Sequence, residues 1–156
     1  MIMKEYDSQK AARVWQRVQG EKQEIPVPPG SDNLQSLIMD QLQLSSMYQR
    51  LSGSYGGADG TALMRLAREA RTQASCLRGL AVLMLGQKPE VRPAPMHRHA
   101  LDAALRWCYG QELRLLKEYE NRCNDPEYGP VFDRMVQRQR EHCCIVLELI
   151  GSPQSK

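Results

Sequence analysis

The sequence predicts an all-α protein: one four-helix bundle with a long connection between its second and third helices, preceded by a short N-terminal helix. Three observations lead there. Apolar residues recur at alternating steps of three and four through four long stretches, the mark of helices buried along one face, and no stretch shows the sustained alternation of a half-buried strand. Runs rich in glycine and proline separate those stretches: SGSYGGADG and NDPEYGP are short, whereas the middle one, GQKPEVRPAPMHRH, is long. Finally, 156 residues suffice for one domain burying roughly two-thirds of its unfolded surface. The expected organisation is a short helix and proline-rich linker over 1–30, the bundle over 31–151 and a tail over 152–156.

Residues 5–19 read as a short helix, capped by Asp7 or Ser8 and ended by Gly20, with Ala11, Val14, Trp15 and Val18 on its apolar side. The linker EKQEIPVPPG is too rich in proline to be regular. A helix this short is unstable alone, so Trp15 is expected to dock, on the main domain or, as the less favoured alternative, on a partner subunit.

The first long helix is expected to start at Ser31 or Asp32, with the stripe Leu34, Leu37, Gln41, Leu44, Tyr48, Leu51, and to stop at the glycine-rich turn. The second runs from about Thr61 to Leu85, with Leu63, Leu66, Ala70, Gln73, Leu77, Leu80 and Met84 inward and Gly86 as its C-terminal stop. The third spans His99 to Cys123, with Leu105, Cys108, Glu112, Leu115 and Tyr119 inward. The fourth spans Val131 to Ile150, with Phe132, Met135, Gln139, His142, Val146 and Leu149 inward. A bundle whose helices run alternately up and down needs three short loops, so the long middle connection argues for a crossover.

Charge and cysteine content narrow the functional classes. The net charge is only +3, and the arginines (Arg65, Arg68, Arg71 and Arg78; Arg134, Arg138 and Arg140) spread over outer helix faces. A nucleic-acid surface would need tighter clustering with interleaved aromatics, so none is expected. No apolar run approaches the roughly 18 residues of a membrane span, and the opening MIMKEYDSQK is too polar for a signal peptide. The five cysteines, Cys76, Cys108, Cys123, Cys143 and Cys144, form no Cys-x-x-Cys pair, which fits reduced core fillers in a cytosol.

Each long stripe is interrupted by polar or small residues near its middle: Gln41; Ala70 with Gln73; Glu112; Gln139 with His142. Helix middles lie at one height in an antiparallel bundle, so these positions are expected to converge inside the core. Buried polar groups are costly without partners, which implies a mutual network. The chain also looks duplicated: QLQLSSMY, Gln41 to Tyr48, matches ELRLLKEY, Glu112 to Tyr119, in its leucines and final tyrosine, and Gln73 and His142 follow about thirty residues after each polar leader.

With LAREARTQASCLRGL and QRQREHCCIVLELIG as its second and fourth inner segments, the chain resembles the rubrerythrin-like members of the ferritin-like superfamily over about residues 31–151. That resemblance implies a ferritin-like bundle in which two helices each give a Glu and two each give Glu-x-x-His, together binding two irons. The family's ligand positions fall on Gln41, on Ala70 and Gln73, on Glu112, and on Gln139 and His142. Only Glu112 and His142 keep the ligand type. Two ferrous ions carry four positive charges, and one carboxylate with one imidazole cannot neutralise them.

The sequence therefore predicts a degenerate dimetal site without cofactor or catalytic residues, in a protein of structural or interaction role, with a homodimer as the candidate assembly. The competing classes are a metal-binding oxidoreductase or iron-handling protein with an atypical site, in which Glu112 and His142 hold a divalent ion, and a small-molecule binder using the polar core. Asp40, Glu69 and Glu141, one step off the stripes, are expected to face outward or flank the helix seams, and His97 and His99 to lie on the surface.

Overall fold

The computed structural model of the protein describes residues 31–91 and 100–152, with side chains from Leu34 onward. Four helices follow one another: α1 Ser31–Tyr55, α2 Gly57–Leu85, α3 Leu101–Arg122 and α4 Gly129–Gly151, with no strand among the described residues. The expected N-terminal helix with Trp15, the caps at Ser31 and Asp32, His97 and His99, and the last four residues of the tail fall outside what is described.

The four stripes are the core. Every predicted inward position is buried except Met84, half-exposed in the last turn of α2. The boundaries differ more. Much of the stretch read as a glycine-rich turn is helical: α1 runs through Ser52–Tyr55, and α2 begins at Gly57, four residues before Thr61. Gly56 and Gly57 reverse the chain with φ of 65° and 58°, a region where other side chains are strained. Gly86, at φ 78°, ends α2 by donating its N–H to the Val82 carbonyl. Helix α3 starts two residues later than His99, because Ala100 is extended. Between α3 and α4 the Asp125 carboxylate accepts the N–H groups of Glu127 and Tyr128 at 2.8 and 2.7 Å, a side-chain turn that lets α4 begin at Gly129 with Pro130 in its first turn.

Packing follows from what each helix offers its neighbours. Gly60, Ala67, Ala74 and Ala81 recur every seven residues along α2, and all are buried. Small residues at this spacing let α1 approach closely. The Ser45 hydroxyl reaches the Ala67 carbonyl at 2.8 Å, and a Cβ on Gly60 would stand 3.0 Å from the Ser52 carbonyl oxygen. The interface of α1 with α2 is the most extensive, that of α3 with α4 the next, and those of α1 with α3 and α2 with α4 are smaller. Hydrogen bonds fix the directions. Gln41 pairs with Tyr119 and Tyr48 with Glu112, so α1 and α3 are antiparallel. Glu69 pairs with His142 and Asp59 with Ser152, so α2 and the α4 segment are antiparallel too. No helix among the described residues is long and apolar enough to cross a membrane.

The α3–α4 turn gives a sharp test. A Cβ on Gly129 would sit 2.5 Å from the Cys123 carbonyl oxygen, a backbone atom that cannot swing aside. Gly129→Ala is expected to destabilise the protein by about 1–3 kcal/mol in urea denaturation. Gly110→Ala, in the interior of α3 with no atom within 4 Å of the new Cβ, is expected to stabilise it by about 0.5–1 kcal/mol.

Candidate functional site

The middle of the bundle is polar. Gln41, Gln73, Glu112, Gln139 and His142 are all buried, as their stripes predict, and Ser45 joins them. Glu112 is the centre. One of its carboxylate oxygens accepts the Tyr48 hydroxyl at 2.6 Å; the other accepts the Gln139 amide, which also reaches the Glu112 backbone carbonyl at 3.0 Å. The Nδ1 of His142 stands 3.9 Å from the same carboxylate. One strand of this network repeats by internal symmetry: as Tyr48 of α1 bonds Glu112 of α3, so Tyr119 of α3 accepts the Gln41 amide of α1 at 2.8 Å. Each tyrosine therefore meets the polar leader of the other repeat.

Electrostatics follow burial. Loss of solvent pushes the Glu112 carboxyl upward, against the pull of His142, Tyr48 and Gln139, which all favour its charge. Burial, together with the neighbouring Glu112, raises Tyr48 far above the ordinary phenol, so it stays a donor. Burial also pushes the Cys143 thiol up to about 12 and Cys108 higher still, which suits inert core thiols rather than nucleophiles. All five cysteines are free.

His142 finds its strongest partner where the sequence did not point. Its Nε2 lies 2.6 Å from a carboxylate oxygen of Glu69, whose side chain is 17% exposed at the edge of the α2–α4 seam. Partial burial pushes Glu69 upward, but the bonds to Arg65 at 2.7 Å and to His142 outweigh it, and the net direction is down. Glu69 flanks the seam, as expected of a residue one step off the stripe, yet its length carries the carboxylate inward. Arg65, four residues earlier on α2, holds the other carboxylate oxygen at 2.7 Å. Asp40 is likewise drawn into a seam, held by Arg114 at 2.6 Å, while Glu141 is exposed.

The expected convergence is realised unevenly. Glu112, Gln139 and His142 are brought together, and Gln41 joins through Tyr119, which feels the Glu112 charge. Gln73 is buried but is not bonded to the others; its amide oxygen, like those of Gln41 and Gln139, has no hydrogen-bond partner.

The donor set does not fit a pair of irons. Gln139 turns an N–H, not a lone pair, toward Glu112, both imidazole nitrogens of His142 face carboxylates, and Ala70 puts a methyl where the family carries a Glu. Among the described residues no three His, Cys, Asp or Glu side chains are placed to hold a metal ion. Compared with known protein families, curated proteins and solved structures, the chain shows no match.

The two tyrosines form an internal control. Tyr48→Phe strips a donor from a buried carboxylate and is expected to cost about 1.5–3 kcal/mol in chemical denaturation, while Tyr119→Phe breaks a bond between neutral groups and should cost about 0.5–1.5 kcal/mol.

Glu112 also sets a pH dependence. Its folded pKa is raised, so the folded state holds the proton more tightly and its contribution to stability falls as pH rises from the usual carboxylate value of 4.5 through the raised one. Glu69 acts in the opposite sense: lowered when folded, it contributes stability above its unfolded value that is lost as pH falls. Glu112→Gln should therefore lessen the decline of stability with pH above about 4.5, measured by urea denaturation across that range. An unchanged slope would show that Glu112 does not titrate with folding.

Proposed function

We propose that the chain is a ferritin-like bundle whose mid-height dimetal site has been replaced by a hydrogen-bonded polar network centred on Glu112, and that it serves as a non-catalytic scaffold or interaction protein. The observation that carries this reading is the Glu112 carboxylate, the one family carboxylate retained: both its oxygens are taken by Tyr48 and Gln139. A metal would have to displace these donors and find its remaining ligands among neutral amides.

The topology supports the ferritin-like part. Helix α1 is antiparallel to both α2 and α3, which makes α2 and α3 parallel. The end of α2 and the start of α3 therefore lie toward opposite ends of the bundle. The 22 residues of α3 span about 33 Å at helical rise. Residues 86–100 can reach roughly 50 Å when extended, which is enough. The repeated hairpins and their reciprocal tyrosine bonds support the same reading.

The test asks whether the site remembers metal. After expression with added iron, the parent is expected to retain less than about 0.2 iron per chain, because a functional dimetal site fills when metal is supplied. Its melting temperature should be the same in chelator and in iron or zinc. The variant Gln41→Glu, Ala70→Glu, Gln73→His, Gln139→Glu restores four carboxylates and two imidazoles. In chelator its crowded charges should lower stability by several kcal/mol, and metal should restore it by binding the folded state. Stoichiometric iron in the parent would overturn the non-catalytic reading, and a quadruple variant indifferent to metal would overturn the ferritin-like one.

A further inference from the structure

The seam between α2 and α4 opens into a cleft of about 270 Å³, apart from the buried network and touching it only at Glu69. We propose that this cleft binds a small organic carboxylate, its charged end on Arg134 and Arg138 and its short apolar body on Val131 and Met135, beside the Gln73 amide.

Three features of the cleft support this. Gln73, on its α2 wall, is only 6% exposed, and its side chain makes no hydrogen bond with another described residue, whereas Gln41, Ser45, Glu112, Gln139 and His142 each make at least one. The Gln73 amide N–H₂ thus makes no hydrogen bond with another described residue, and a carboxylate in the cleft can accept one from it. The charge is also unbalanced. Arg134 is exposed and has no ion pair with another described residue. Arg138 is 54% exposed, and its one pairing is with Glu69 at 3.8 Å, through an oxygen that already engages His142 at 2.6 Å while the other oxygen is held by Arg65. Two guanidinium groups one turn apart on α4 thus face the cleft with donors to spare, the arrangement that takes a carboxylate or phosphate. Finally, Val131 and Met135 give the same wall an apolar surface. Inorganic phosphate has nothing to place there, whereas a carboxylic acid with a few carbons covers it and gains by leaving water. Anion donors, an apolar surface and one incomplete amide together describe an organic acid better than a bare oxyanion.

The experiment uses the full chain, labelled with ¹⁵N and titrated with sodium hexanoate and sodium benzoate, against sodium phosphate and sodium chloride at matched ionic strength. Saturable shifts of the Gln73 side-chain amide and of the Arg134 and Arg138 Nε–H signals are expected with the two carboxylates. Arg134→Gln, at an exposed position that leaves the core intact, should weaken binding about tenfold, the loss of one charge-assisted bond. Arg71→Gln, an exposed change outside the cleft, should leave binding as it was and so controls for net charge. The proposal is overturned by the absence of saturable shifts, by equal binding of phosphate, or by unchanged affinity in Arg134→Gln.

Discussion

The structure turns on one buried negative charge. Glu112 sits at 1% exposure in the core of the bundle, and a carboxylate there is tolerable only if its oxygens are bonded. Its partners come from two other helices: Tyr48 from α1, Gln139 from α4, with His142 close by. Each must hold its position along its own helix for the set to close. His142 in turn draws Glu69 inward from α2, so one charge in α3 ties all four helices together.

This arrangement separates two kinds of interface. Within the first hairpin, contact is close and mainly apolar, relying on the small residues Gly60, Ala67, Ala74 and Ala81, with Ser45 bonding the Ala67 carbonyl across it. Between hairpins, side-chain hydrogen bonds connect α1 to α3 and α2 to α4. Apolar contact supplies most of the stabilisation but tolerates sliding, since leucine packs against leucine in several ways. Hydrogen bonds to buried groups do not tolerate it. A shift of α1 along α3 by one turn would break the bonds of Tyr48, Gln41 and Tyr119 at once and strip one donor from Glu112.

Much of this was legible in the sequence, for reasons particular residues make plain. The three-and-four spacing fixed which faces are inside, and Gln41, Gln139 and His142 stood out because they break an apolar pattern. The echo of QLQLSSMY in ELRLLKEY announced the paired tyrosines. Which groups bond was not legible. Burial of a stripe residue follows from periodicity, but a hydrogen bond depends on the register between helices and on side-chain reach: the α1–α3 register sets Tyr48 opposite Glu112 and Gln41 opposite Tyr119, and Glu69 reaches in from the edge. Helix ends were also hidden, because Ala58, Asp59 and Gly60 read as turn residues. The sharp reversal is confined to Gly56 and Gly57, and packing against α1 carries the residues after them into the helix.

The two hairpins also bear on the order of assembly. Their internal contacts join residues close in the chain, the kind that form early and fast, whereas the bonds between hairpins join Gln41 to Tyr119 and Glu69 to His142 across more than seventy residues. The polar seam thus becomes a late checkpoint: two preformed halves collide in many alignments, and only the alignment that satisfies Glu112, His142 and both tyrosines together is retained.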